Sequence, residues 1–308
     1  MLNLLGKRYW FFLLSLLVIV PGLLIMAIYG MPLAIDFTGG SLLEVKFTNA
    51  TLPSTADVVN LYKELGITDT KITTSGTDIL IIRSSFLDDT QRAAVIEKMQ
   101  TKFNTTVEIQ KFDSVGPTIG EQVTRRAGLA VGVAALAVVI FIWFSFRGLP
   151  NALRYGICAI IAMLHDILVV VSISAIGGHF FGWQVDSLFL TALLTVIGFS
   201  VQDKIVVFDR VRENNNIYRK LDFEKLVNHS IVQTLQRSIN TQLMTSEFLL
   251  LALALFGGVT LREFSVILLI GLFSGTYSSI FIAAPILVVW EKKEWRTWFH
   301  RKEATTSA

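Results

Sequence analysis

The sequence predicts a membrane protein of six transmembrane α-helices, with an external ferredoxin-like βαββαβ domain inserted between the first and the second. Three observations carry that expectation. Of 308 residues, 53% are hydrophobic and only 17% charged, where a soluble domain carries roughly 25% charged. The apolar residues arrive in runs matching the about 20 that a helix needs to cross a bilayer. Residues 30–126, by contrast, mix polar and apolar positions with periods of two and of 3.6. Disorder is excluded by the hydrophobicity, and a disulfide scaffold by the lone Cys158. A net charge of +3 gives no reason to expect nucleic acid as a partner.

The spans follow in order. Residues 9–29 and 127–146 contain no charge; 155–176 are apolar except for His165 and Asp166; 187–208 except for Asp203 and Lys204; 238–256 except for Glu247; 264–290 are uncharged, with Pro285 near their end. Lys7 and Arg8 precede the first run as they would a signal peptide. Its apolar stretch exceeds a signal's usual length of about 7–15 residues, and no A-x-A pattern follows, so an uncleaved helix is expected.

Between the first two spans, 41–48 (SLLEVKFT) reads as a strand and 54–65 as a helix with a Ser or Thr cap. Segments 69–75 and 77–83 flank Gly76 as two short hairpin strands. An amphipathic helix at 88–103 carries Ala93, Ile96, Met99 and Phe103 on its apolar face. Alternation returns at 105–112, with Val107, Ile109 and Lys111 on one side. The order β-α-β-β-α-β is the split βαβ pattern.

Basic residues flanking spans mark the cytoplasmic side. The segments before span one, between two and three, between four and five, and after six hold 15 basic and 7 acidic residues; the insert at 30–126 holds 10 and 12. Six spans put all four basic segments on one side. Both termini and a loop at about 209–237 are then cytoplasmic and the insert faces out, periplasmic or extracytoplasmic. The expected division is 1–29, 30–126, 127–290 and a tail at 291–308.

An ionisable side chain at bilayer depth costs at least about 2.5–3.5 kcal/mol. Asp166 lies near 20 Å into its helix at a rise of about 1.5 Å per residue, beyond the reach of snorkelling. It reads as a proton-relay carboxylate, with a helix-packing hydrogen bond as the other reading. His165 is adjacent, pointing about 100° away, and reads as relay or packing. Asp203 reads as relay or salt bridge. Arg210, one heptad on, could reach back toward it. Asp209, Arg210 and Arg212 together read first as a charged cytoplasmic rim. Lys204 and Glu247 lie at comparable depths and could neutralise each other as an ion pair. Small residues, Gly198 and Ser200 in span four and Gly271, Ser274, Gly275, Ser278 and Ser279 in span six, allow close helix contact. No metal-ligand spacing, Walker A string or nucleophile elbow is visible, so no catalytic residue, metal or cofactor is assigned and an enzyme is not expected.

Several strings together carry a resemblance: IDFTGG at 35–40, with Asp36, Gly39 and Gly40; VGPTIG at 115–120, with Gly116, Pro117 and Gly120; the His165–Asp166 pair; GFSVQDKIVVFDRVREN at 198–214; and FGG at 256–258. They run over nearly the whole chain, which resembles the SecF members of the SecD/SecF family of protein-export membrane proteins, in the RND superfamily. The resemblance implies half of an RND-type bundle in the cell inner membrane, completed by SecD beside the SecY/SecE/SecG channel. It further implies that proton flow at intramembrane acids moves the periplasmic domain and helps a translocating preprotein across the lipid bilayer. Asp166 matches the family's intramembrane acid; Asp203 and Arg210 lie in its span-four motif. Gln202, Lys204 and Glu247 depart from the family pattern, and Lys204 is expected to pair with Glu247 or with Asp203. A proton-coupled exporter of lipid or small molecules, usually two halves in one chain, is the alternative; a membrane scaffold without transport is a third.

Overall fold

In the computed structural model the described residues are 3–48, 52–75, 78–147, 152–242 and 248–294. They fall into two compact units: Pro32–Ala130 with Gln184–Ser187, and the remaining helical residues.

The first unit is built on strands β1 (Gly40–Thr48), β2 (Lys71–Ser75), β3 (Ile79–Ser84) and β4 (Thr106–Val115). All pairings are antiparallel, in the order β2-β3-β1-β4, which is the expected split βαβ arrangement. Helices α3 (Thr55–Glu64) and α4 (Asp89–Phe103) complete it. Ser54 caps α3 by accepting from the Asp57 N–H, and Asp88 with Gln91 forms a capping box on α4. Leu43, Val45, Phe47, Val58, Leu61, Tyr62, Leu80, Ile82, Val95 and Met99 make one sealed core.

Two details differ from the sequence expectation. The apolar face of α4 is centred on Val95 and Met99, with Phe103 packed beside them, while Ala93 is exposed. Val95, Met99 and Phe103 are four residues apart, so the stripe keeps its period and shifts its phase. In β4 the register slips opposite Glu44 and Val45, whose partners are Lys111 and Ile109. This bulge leaves Gln110 unpaired and reverses the alternation, so Val107 and Phe112 face the core and Ile109 is 42% exposed.

A glycine corner precedes β1. The short helix α2 (Ile35–Thr38) ends on Gly39, at φ 71°, followed by Gly40 at φ 126°. Both conformations strain any residue with a Cβ. A Cβ on Gly39 would lie 2.9 Å from Pro117 Cα, and one on Gly120 would lie 2.7 Å from the Gly39 nitrogen.

The second unit contains α1 (Arg8–Tyr29), most of α5 (Pro117–Phe146), α6 (Ala152–Phe181), α7 (Ser187–Ile217), α8 (Phe223–Gln242), α9 (Phe248–Phe256), α10 (Val259–Ser278) and α11 (Ala284–Glu291). Among the described residues, five helical stretches are long and apolar enough to cross a membrane: Leu5–Tyr29, Pro117–Phe146, Ala152–Phe181, Ser187–Ile217 and Leu261–Glu291. The sixth expected span, 238–256, is not among them. Its middle, 243–247, lies outside the described residues, and α8 and α9 flank it. The loop expected at 209–237 is largely helix. Ion pairs Asp209–Arg212 and Arg210–Glu213, three residues apart, carry α7 to Ile217. The Asn214 amide donates to Ser230 Oγ at 2.8 Å and ties α8 back.

Between α10 and α11 the helix widens into a π-turn over Ser279–Ala283. Pro285 explains it, since it has no N–H for the Phe281 carbonyl four residues earlier and its ring crowds that carbonyl.

Candidate functional site

Asp166 lies in the middle of α6, 1% exposed, and its carboxylate gathers donors from three helices. Oδ1 accepts from Ser274 Oγ at 2.7 Å and lies 3.0 Å from His165 Nδ1. Oδ2 accepts from Ser200 Oγ at 2.6 Å, Ser278 Oγ at 2.6 Å and Lys204 Nζ at 2.8 Å. A carboxylate offers about four lone-pair directions, so this one is saturated.

The helical period explains how so many donors meet. Ser200 and Lys204 are four residues apart on α7, as are Ser274 and Ser278 on α10, and residues at that spacing share a face. Lys204, fully buried, bends back along its own helix: Nζ donates to the Ser200 carbonyl at 3.1 Å and also bonds the Ser200 hydroxyl. Glycines on α10 permit the approach. A Cβ on Gly271 would collide with the Val196 side chain, and one on Gly275 would lie 3.3 Å from Ser200 Cα. On the other side of α6, the Ser172 hydroxyl donates to the Ile19 carbonyl of α1 at 3.0 Å, where Gly22 leaves room.

Lys204 meets a partner that the sequence reading does not name. Its ammonium is engaged by Asp166, and the expected partner Glu247 lies outside the described residues. Among the described residues the Asp203 carboxylate has long contacts, 3.4 Å from Ser238 Oγ and 3.5 Å from Ser279 Oγ, and it feels the charge of Lys204 without a hydrogen bond to it. Arg210 does not reach back to Asp203, because its guanidinium binds Gln233 at 2.7 Å and Glu213 at 2.5 Å. Asp209 and Arg212 pair at 3.4 Å, half exposed.

His165 turns toward Asp166 despite the adjacent backbone position. It stacks on Tyr277 with ring centroids 6.1 Å apart, and its Nε2 is buried with no hydrogen-bond partner among the described residues. The Tyr277 hydroxyl donates to the Phe11 carbonyl of α1 at 2.7 Å. Gly198 faces open space. Ser200, Ser274 and Ser278 read in the sequence as contact residues; the signal for their second role is the serine spacing of four within otherwise apolar helices.

The remaining motif residues lie in the sheet unit. Asp36 accepts from the Ser187 N–H at 3.0 Å and from its hydroxyl. The Gly116 carbonyl accepts from the Ile119 and Gly120 N–H groups, opening α5, with Pro117 as its first residue. The Thr124 hydroxyl donates to the Phe37 carbonyl at 3.0 Å. The IDFTGG and VGPTIG strings are thus one packed corner.

Comparison with known proteins bears on both constellations. A model described as "Protein export membrane protein SecD/SecF, C-terminal" matches residues 95–293, and one described as "SecD/SecF GG Motif" matches residues 24–51. The chain belongs to the SecD/SecF family. Its relatives include the protein translocase subunit SecF of Anaerolinea thermophila, 68% identical over the full length of both chains. Another is the subunit of the same name in Thermobaculum terrenum, 42% identical, again covering both chains fully. The Synechocystis SecF is 39% identical over 85% of this chain and 83% of its own. Among solved structures, the translocon-associated membrane protein SecDF of Thermus thermophilus superposes with a TM-score of 0.79 at 30% identity, covering 94% of this chain. This chain spans 39% of that SecDF chain's length.

Proposed function

We propose that this chain is a SecF subunit of a bacterial protein translocase, acting with SecD and coupled to the proton gradient through Asp166. Full-length likeness to translocase subunits named SecF supports the first half of this reading, and likeness to one part of a SecDF chain supports a SecD partner. The observation that carries the second half is the Asp166–Lys204 ion pair, buried in mid-helix and saturated by hydroxyls from two other helices.

A proton bound at Asp166 cancels the negative half of the pair. The Lys204 ammonium then loses its counter-charge, and hydroxyls that donated to an anion meet a neutral acid. An unpaired buried charge is costly, so α6, α7 and α10 must repack, and the π-turn after Ser278 is a point where a helix can shift register. Movement of these helices is transmitted to the periplasmic domain at 30–126, which favours release of the preprotein outside. On this reading residues 238–256 form the sixth span, Asp203 relays protons on the cytoplasmic side, and both termini are cytoplasmic in the cell inner membrane. Asp36 and the glycine corner then brace the entry into the domain's first strand, and the SecY/SecE/SecG channel delivers the preprotein.

The test is replacement of the chromosomal copy by Asp166→Asn carrying an affinity tag. The expected result is normal recovery of SecD and SecY with the variant, and loss of the proton-dependent part of preprotein export. Normal export by the variant would contradict Asp166 as the coupling residue. Failure of even the wild-type chain to recover SecD would contradict the subunit assignment.

A further inference from the structure

Lys204 puts an ammonium where a free cation would find ligands. Around Nζ stand Asp166 Oδ2 at 2.8 Å, the Ser200 carbonyl at 3.1 Å and the Ser200 hydroxyl. The hydroxyls of Ser278 and Ser274 reach the two oxygens of the same carboxylate at 2.6 and 2.7 Å. Lys204, Ser200 and Ser278 are 0% exposed and Asp166 is 1% exposed. Carboxylate, carbonyl and hydroxyl oxygens are the donors that hard cations take. Each serine hydroxyl now donates, but it has lone pairs to turn toward a metal.

We propose that Lys204 is a tethered cation. Its ammonium fills an oxygen-lined site for a sodium-sized ion and keeps free sodium away from this carboxylate. The assignment rests on Asp166 being the coupling carboxylate and adds what occupies the cation site beside it.

The physical basis is occupancy. An ammonium on a four-carbon stem anchored one helical turn from Ser200 cannot diffuse away, so its binding is intramolecular where that of a free ion is not. Sodium can enter only by displacing a charge that has nowhere else to go. A proton needs no such room, because it binds a carboxylate oxygen directly. Shortening residue 204 to serine removes the charge, vacates the volume of the stem and supplies one more hydroxyl. Asp166 is then a buried anion with an empty oxygen cage beside it.

The full chain, purified in mild detergent, is compared in sodium chloride and in choline chloride at equal ionic strength by thermal unfolding. The wild type is expected to melt at the same temperature in both. Lys204→Ser is expected to gain a stabilisation by sodium that sets in near the dissociation constant and grows by about 3–5 °C for each tenfold rise in concentration above it. The gain should vanish in Lys204→Ser/Asp166→Asn. A sodium response in the wild type overturns the proposal, as does a Lys204→Ser protein that responds no more than wild type or responds equally without the carboxylate. Lys204→Ala is tested in parallel. If neither variant is monodisperse even in sodium, the proposal also fails, because sodium should restore the missing charge. The readout involves no export, so its failure leaves the translocase reading standing, while the Asp166→Asn export assay tests that reading alone.

Discussion

In the sheet unit, Leu61, Tyr62, Leu80 and Met99 are fully enclosed and charges such as Glu64 stand outside, bonded to Lys98 and Lys102. In the helical unit the arrangement is reversed: Trp10, Leu17 and Trp143 are 72%, 67% and 68% exposed, while Lys204 and Asp166 are hidden. The same forces act in both units. Where water is the solvent, apolar burial drives folding. Where lipid surrounds a helix, apolar side chains gain nothing by turning inward, and close packing with hydrogen bonding holds the bundle together. The contrast therefore predicts that equivalent substitutions have opposite consequences in the two units.

The largest effect expected is at the buried ion pair. Asp166→Ala or Lys204→Ala alone should each cost about 3–5 kcal/mol, because each strands a buried charge. The double variant should cost clearly less than the sum, which a double-mutant cycle on thermal unfolding in detergent will show. Replacing Lys102, an exposed partner of Glu64, should change stability little, since surface pairs are weak. Equal costs at the two places would break the comparison.

Next come the apolar side chains. Leu80→Ala in the sheet core should lose about 2–5 kcal/mol. Leu17→Ala on the outer face of α1 should be close to neutral, although the side chain removed is the same. A third, smaller effect is expected at the helix contact. Gly271→Ala drives a methyl into Val196 and should cost about 1–3 kcal/mol by overpacking. Val196→Ala in the same chain should recover much of that loss, which sharpens the claim that packing holds this unit.

The smallest effect concerns pH. Hydrogen bonding from Lys292, then from Arg8, holds the Glu224 carboxyl below the ordinary glutamate range. A carboxyl with a lowered folded-state pKa adds stability that is fully present above its unfolded pKa and is lost as pH falls through the folded one. The melting temperature should therefore decline modestly below the ordinary glutamate range, and Glu224→Gln should lack that part of the decline.

What could be read from the sequence follows the same division. Period and capping sufficed for the sheet unit, because one buried face per element leaves a one-dimensional trace. A Ser or Thr cap announced α3 and apolar spacing announced α4, while local events escaped: the phase of Val95 against Ala93, and the bulge at Gln110. In the helical unit, depth was legible and azimuth was not. Asp166 stood out because a charge in an apolar run needs a reason. Its partner did not, because any face of an apolar helix can face a neighbour, so Lys204 could be matched with Glu247 or Asp203 as well as with Asp166. The spacing of Ser200 with Lys204, and of Ser274 with Ser278, held the missing information, but only the glycine contacts of α10 with α7 bring those pairs to one carboxylate. Arg210 shows a similar limit: α7 continues past the expected loop, so its charges pair along the helix surface, as a charged rim would, instead of reaching back to Asp203.

The central claim is that the Asp166 carboxylate is where ion movement meets export. Its most direct test is preprotein-driven proton flux in proteoliposomes holding this chain with its SecD and channel partners. The wild type should pass protons only while a preprotein is being translocated, and Asp166→Asn, assembled to the same extent, should pass none. Undiminished flux through the Asp166→Asn complex would contradict the account.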